Sequence, residues 1–565
     1  MSKALVNSAL RAVLLAAAAG LALSLGSCGG GAAVAMVGGG VGTGGTGMTF
    51  GTVIGLGSVI VDGTTYSSST PSYYTASGSA DALPTTSQSV ELGARVDLAQ
   101  IDSAKQPQTL LIQPEVNGSV SAVDVNNGAL TVDGERVLVN TDPTKGPVTF
   151  YSGFTGLSSG STPVKANNVA EVHGAYGEDA SGPYIWATLI EQLPSTTTLT
   201  RVTGVVSNLS SSAFDVGNAT VALAGTTIQP AGTALADGDL VYATDSGGHW
   251  SVTVHGLGTT TAAVQGAGVV YSVTANGFML SGIPVDTTTM ASVPALVQGE
   301  YAVVSGVGDG HGNLLAHQIT LYSASSPAVV ELHGTITGFV GTGNFQVRGV
   351  PVDASVFCGN AANAATCGLL GNGAYVDVSG PTTQAQVAAS AGNVIAASNL
   401  QVRSSVPSGE TVDMEGTVQS VTDASHFVLN WQTEQANPTQ VTVTIAGNAA
   451  YSNGGASNLV ANAAVEIEGV YQGGGVTAYT INFLPSGSGS GQTQDISGRV
   501  YDWSQGSNLT TTQSVATAAS TFMLSGNTLT IPVGTTIPAG FGDGVKVEVT
   551  FDPTTFDVQK ISLDN

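Results

Sequence analysis

Charge is what this sequence has least of. Only 9% of its 565 residues are Asp, Glu, Lys or Arg, against about 25% in an ordinary soluble chain. A Lys/Glu-rich helical bundle is thereby excluded. Positive charge is scarcer still, at 13 basic residues against 38 acidic ones and a net charge of −25. Nucleic acids and anionic lipid surfaces are gripped by Lys and Arg that neutralise phosphate, so neither is expected to bind the folded part. Aromatic residues make up 6% and cysteines number three. No apolar run reaches the about 20 residues of a membrane-spanning helix. Glycine, with 76 residues, together with Ser, Thr and Asn stands where the charges would be. The hydrophobic share of 42% is ordinary, so the chain has enough apolar material for cores and is not disordered as a whole. Its length allows roughly three to five domains at about 150 residues each.

The N-terminus carries an address. Lys3 and Arg11 bracket a basic start, and Ala12 to Leu25 is an apolar run of the length of a signal-peptide core. It ends in Leu25-Gly26-Ser27-Cys28, which resembles a bacterial lipobox. The resemblance implies cleavage before Cys28 and a lipid thioether on its sulfur, with more acyl chains than the single one that gives only marginal anchoring. Gly29 after the cysteine implies onward export to an outer membrane. Residues 1–27 are expected to be the signal. Their removal takes Lys3 and Arg11 and no acid, leaving a net charge of −27. Residues 28–50 read as the lipidated cysteine and a Gly-rich flexible tether.

Beyond the tether a Gly-x-[Val/Ile] step recurs at Gly51, Gly118, Gly204, Gly268, Gly334, Gly416 and Gly498, with spacings of 67, 86, 64, 66, 82 and 82. Each step opens an alternating segment that turns into short hairpins, as in Leu130-Thr131-Val132-Asp133-Gly134-Glu135-Arg136-Val137. A later segment alternates apolar and polar residues strictly, as in Val465-Glu466-Ile467-Glu468-Gly469, so one face is expected to be buried and the other wet. The fold class read from this is all-β: a tandem array of about seven small OB-like β-barrel units of five short strands each, since closure removes exposed edges. A seven-bladed propeller is the alternative and needs a more even period. The expected units are 51–116, 117–200, 201–264, 265–332, 333–414, 415–484 and 497–565, with a Gly/Ser linker at 485–496. A unit of this size is marginal alone, because it buries only about 60% of its unfolded surface, so neighbours are expected to help.

The openings Gly51-Thr52-Val53-Ile54-Gly55 and Glu115-Val116-Asn117-Gly118-Ser119-Val120, with Leu130-Thr131-Val132-Asp133-Gly134-Glu135, resemble the repeat called domain of unknown function 5666. The resemblance covers residues 51–565, departing from the pattern at His249-Trp250-Ser251-Val252 in the third unit and lacking a clear second hairpin in the seventh. It implies tandem β units of an exported bacterial protein, often a lipoprotein. It brings no catalytic residue with it.

Residues with chemistry are few and scattered. Cys358 and Cys367, nine apart in one loop, read as a disulfide. Trp186, Trp250, Trp431 and Trp503 fall in different units and would stack on sugars or other flat ligands where exposed. His173 and His333 stand beside glycines and read as exposed; His249 and His255 read as sharing a strand face. Asp309-Gly310-His311-Gly312-Asn313 and Asp124-Val125-Asn126-Asn127-Gly128 read as tight turns, and Glu466 with Glu468 as a solvated face. HExxH, a Walker loop and a GxGxxG after a strand are all missing. No catalytic residue, metal site or cofactor is expected. The reading is of a non-enzymatic envelope protein anchored through Cys28, with a glycan-, peptide- or metal-binding surface protein as the alternative and an enzyme accessory subunit behind both.

Overall fold

The computed structural model describes residues 47–563, apart from 69–70, 77–81, 86–88, 104, 159–161, 196, 218, 372–373, 385–392, 404–410, 432–438, 453, 485–493, 502, 505–513, 525–526, 543–544 and 552–556. The expected signal, Cys28, the tether up to residue 46 and most of the linker lie outside the described residues.

The sixth unit displays the repeat in full. Its five strands are Thr411–Asp423, His426–Trp431, Thr439–Ser452, Ala464–Gln472 and Gly475–Leu484. The first pairs with the second and the second with the third; the third pairs in parallel with the fifth, and the fourth closes the ring between fifth and first. This is the five-stranded circuit of an OB barrel. The same ring closes in the second unit, through Val116–Asp124, Ala129–Val132, Glu135–Val139, Val169–Asp179 and Gly182–Leu193. It closes again in the fourth, through Ala263–Tyr271, Gly277–Leu280, Ile283–Asp286, Tyr301–Gly308 and Leu314–Leu321.

Elsewhere the ring persists with a broken strand. Thr64–Tyr66 and Ser72–Thr75 share the third position in the first unit, as Ala219–Ala222 and Thr227–Gln229 do in the third. In the fifth unit the last strand splits into Asn393–Ala396 and Asn399–Val402. The seventh does have its second hairpin, Ser520–Leu524 with Asn527–Ile531. A propeller blade would leave its first strand unpaired with its fourth, so these rings set the propeller aside. The opening strands start slightly before the Gly-x-[Val/Ile] steps, at Gly47 in the first unit and at Gln494 in the seventh, inside the stretch expected as linker.

The recurrent glycine has a local cause. Between second and third strands the chain reverses through two residues at positive φ: Asp62-Gly63 (45° and 83°), Asp133-Gly134 (47° and 84°) and Ser281-Gly282 (43° and 88°). Such turns match the twist of a hairpin. Each folds back onto the first strand, where the amides of Asp62, Asp133 and Ser281 donate to the carbonyls of Thr52, Ser119 and Val269 at 3.0 Å. A Cβ on Gly51 or Gly268 would overlap the side chain of Asp62 or Ser281, and one on Gly118 would stand 2.6 Å from Asp133 Cβ. The step marks where the hairpin tip lies on the barrel.

The first five units are knitted together. Gly47–Leu56 pairs antiparallel with its own fourth and second strands, Arg95–Ile101 and Val59–Val61. It also runs parallel to the first strand of unit four, Met48 to Phe50 against Val264 to Gly266, and to the first strand of unit five, Gly55 and Leu56 against Glu331 and Leu332. Arg201, on the first strand of unit three, Thr200–Ser207, stands opposite Asn117 of unit two. Apolar residues fill each barrel, and units one and five share one core through Val53, Val96, Leu98, Leu332, Phe345 and Val378.

Candidate functional site

Alternation along Val169–Asp179 sends Ala170 and Val172 into the core of the second barrel and Glu171 and His173 outward. Outward from that barrel is not outward to water. Across the ladder Glu191 lies opposite Glu171 on one side and Asn117 on the other, Arg201 lies opposite Asn117, and Thr244 opposite Arg201. This row of polar side chains is buried throughout, with Glu171 and Asn117 at 0% exposure.

The first unit covers it. The Arg95 amide donates to His173 Nδ1 at 3.3 Å, and Thr188 Oγ1 donates to Gly93 O at 2.6 Å. Arg201 donates through Nε to Thr244 Oγ1 (3.0 Å), through Nη1 to Pro114 O (3.2 Å) and through Nη2 to Ala76 O (3.0 Å). Arg95 itself reaches the fourth unit, Nη1 donating to Ala267 O at 2.8 Å while its guanidinium sits 5.6 Å from the Phe50 ring. Asp97, Glu115, Tyr242 and His255 complete the buried seam. Close by, Asp62 at the first unit's hairpin tip accepts from the Thr52 amide (2.7 Å) and from the hydroxyls of Tyr301 (3.4 Å) and Tyr322 (3.5 Å).

Burial dominates the electrostatics. It pushes Asp97 and Glu115 up to about 7, with the Arg95 charge opposing, and Asp62 up to about 6 against the Thr52 amide and Arg95. His255 is pushed down to about 3 by burial and Arg95, so it is neutral. At His173 burial disfavours the charge, but the hydrogen bonds and charges of Glu171 and Glu191 outweigh it and raise the group to about 9.

Glu171, His173 and Glu191 have the composition of a metal centre. Nε2 of His173 is 3.5 Å from Glu171 Oε1 and from Glu191 Oε2, and the three donor atoms lie within 4.8 Å of one another. The outer partner does not fit a metal. A ligating histidine donates its second N–H to an acceptor, whereas His173 Nδ1 faces a donor, the Arg95 amide. That amide opposes the charge that the two carboxylates favour: facing it, Nδ1 keeps its lone pair and the proton sits on Nε2, between the carboxylates. The pocket is built to hold a proton.

A second ionic group lies at a more open edge. His333 Nε2 is 3.0 Å from Glu331 Oε1 and its Nδ1 2.9 Å from Asp377 Oδ1, while Arg403 pairs with Asp377. Arg348 donates to His333 O at 2.9 Å and lies 3.5 Å from Glu468 Oε1, joining units five and six.

Several sequence expectations are therefore corrected. His173 is buried and His333 mostly so, because neighbouring strands cover the outward faces of their barrels. His255 is buried while His249 is exposed, so they share no surface. Glu468 pairs with Arg348, and Glu466 accepts from Asn482 Nδ2 at 3.1 Å; neither is merely solvated. Two of the four tryptophans are buried and two are partly exposed. Trp431 and Trp503 are buried in the sixth and seventh cores, against Tyr375 and Phe541. Trp186 packs beside Tyr301, and Trp250 partly covers the third core. Cys358 and Cys367 are bonded, with Cα atoms 5.7 Å apart, across the short helices Ser355–Gly359 and Ala364–Cys367. Asp124 and Asp309 cap their own turns, accepting from the Asn127 and His311 amides. One signal for the buried group was present: Glu-x-His-Gly occurs at Glu171-Val172-His173-Gly174 and at Glu331-Leu332-His333-Gly334, and period-2 geometry puts Glu and His on one face.

Residues 415–482, the sixth barrel, match the family described as Domain of unknown function (DUF5666). No curated protein matches the chain.

Proposed function

We propose that this protein is an exported lipoprotein, held to the outer membrane through Cys28, that serves the cell envelope as a non-enzymatic structural or binding protein. The observation that carries this reading is where the reactive side chains are. Glu171, His173 and Glu191 converge in the seam between barrels, buried and engaged in joining units. An enzyme needs such groups at the wall of an accessible cleft. Binding of flat ligands by tryptophan has less support, since Trp431 and Trp503 are buried. The acidic surface favours solubility and mutual repulsion and disfavours nucleic acid.

Replacing Cys28 with Ser tests the anchor. The wild-type chain should fractionate with membranes and incorporate labelled fatty acid, and the variant should do neither. An unchanged membrane fraction and unchanged labelling would remove the lipoprotein reading.

A further inference from the structure

The seam joining the first unit to the second, third and fourth is short of positive charge. Asp62, Asp97, Glu115, Glu171 and Glu191 are buried there. They face two arginines, Arg95 and Arg201, and His173, whose Nε2 proton lies between Glu171 and Glu191. Glu171 and Glu191 take His173 between them, and Arg201 adds its field to Glu171 and Glu115. Arg95 is then left with Asp97, Glu115 and Asp62. One guanidinium charge is set against three carboxyls, and part of the group is turned to Ala267 O and Phe50. Among the described residues Glu115 Oε2 has no hydrogen-bond partner. The other polar groups near this pair are Tyr242 from the third unit, hydrogen-bonded to His255 at 3.3 Å, and Thr203, whose hydroxyl donates to Glu115 O; Tyr301 from the fourth unit faces Arg95 and Asp62. None of these supplies a cation, His255 being neutral.

An uncompensated buried carboxylate costs several kcal/mol and is relieved by taking up a proton. We propose that the seam is a proton-operated clamp, closed when the buried Asp97 and Glu115 are protonated and loosened when both carboxylates are ionised, so that unit one parts from units two to four in the alkaline direction. The sign follows from the environment. Both acids titrate higher in the closed seam than in an opened one, so the folded contact binds more protons. Its stability is present at low pH and falls as pH rises toward about 7. The pair differs from ordinary surface acids, whose partners make them favour the ionised state.

Hydrogen exchange on the full chain tests this, read by mass spectrometry at pH 5.5 and pH 8.5 after correction for intrinsic rates. Peptides covering residues 93–98, 114–118 and 240–245 should open at least about tenfold more at the higher pH, since one proton of difference gives about tenfold per pH unit. Peptides of the sixth barrel, such as 441–445, should not change. Glu115→Gln, a neutral mimic of the protonated acid, should flatten the response, and Asp97→Asn is the second variant should the first fail to fold. Equal seam opening at both pH values, an equal change in the sixth barrel, or an undiminished response in the folded variants would overturn the proposal.

Discussion

Replacing Arg201 with Met would remove a buried side chain that reaches from the third unit into the first. The guanidinium is buried and gives up three hydrogen bonds, two of them to backbone carbonyls, Pro114 O and Ala76 O, that would be left without this donor. It also stands near Glu171 and Glu115, which would lose part of their compensating field. Methionine keeps most of the volume, so the cavity contribution is small. The bonds cannot be summed, because removing Arg also recovers its own desolvation cost. Breaking a buried ionic contact from one side costs about 3–5 kcal/mol, and that is the expected loss for the five-unit body. Scanning calorimetry should register it as a fall in the main transition on the order of 5–10 °C. Exchange protection in the sixth barrel, whose core around Met414, Phe427 and Ile467 takes in Tyr375 of the fifth unit but no residue of the first four, should stay unchanged. Arg201→Lys keeps the charge without the fork and should recover only part of the loss. A change in stability below about 0.5 kcal/mol for Arg201→Met, the level of an ordinary surface site, would refute the idea that this row of polar residues holds the units together.

Two further outcomes follow. At the hairpin tips, Gly268→Ala should destabilise by about 1–3 kcal/mol, because Ser281 Oγ, which accepts from the Val269 amide and donates to Tyr176 O, must move. Gly334→Ala should cost less, since the added Cβ meets the flexible Arg348 stem at 3.0 Å; equal losses in denaturant melts would argue against this account of the repeat. Replacing Cys358 and Cys367 together with Ser should cost the fifth unit about 2–3 kcal/mol, as for a short closed loop. Exchange should rise in 354–370 first, and protection unaltered there would show the bridge to be dispensable.

Much of the architecture is legible in the sequence, and the reason is local. Period-2 alternation, Asp-Gly tips and the crowded glycine beneath each tip are decided within one unit, so the five-strand ring can be read from its own 70 or so residues. What joins the units is decided elsewhere. Glu171 and His173 alternate with apolar neighbours just as a wet strand face does, and that pattern reports only which side of the barrel they occupy. Whether a second barrel lies on that side depends on pairings such as Thr49 with Gln265, separated by three repeats, which no local period encodes. Trp431 and Trp503 make the same point: their burial is set by packing that composition does not record.

The strand Gly47–Leu56 has a consequence for how the protein comes to be folded. It is the first strand of the array to be synthesised, yet two of its neighbours, Val264–Gly266 and Glu331–Leu332, lie more than 200 residues downstream. At about 5–20 residues per second that strand waits roughly 10–40 seconds or longer for its partners, with hydrogen-bonding groups unclaimed. Closing so long a loop costs roughly 5 kcal/mol of chain entropy, recovered only when the fourth and fifth barrels arrive. The nascent chain thus passes through a stage with an open parallel edge, the kind of surface that recruits other chains. The body joined through Gly47–Leu56 is accordingly a late product of folding, and any factor that shields that edge in the meantime would determine its yield.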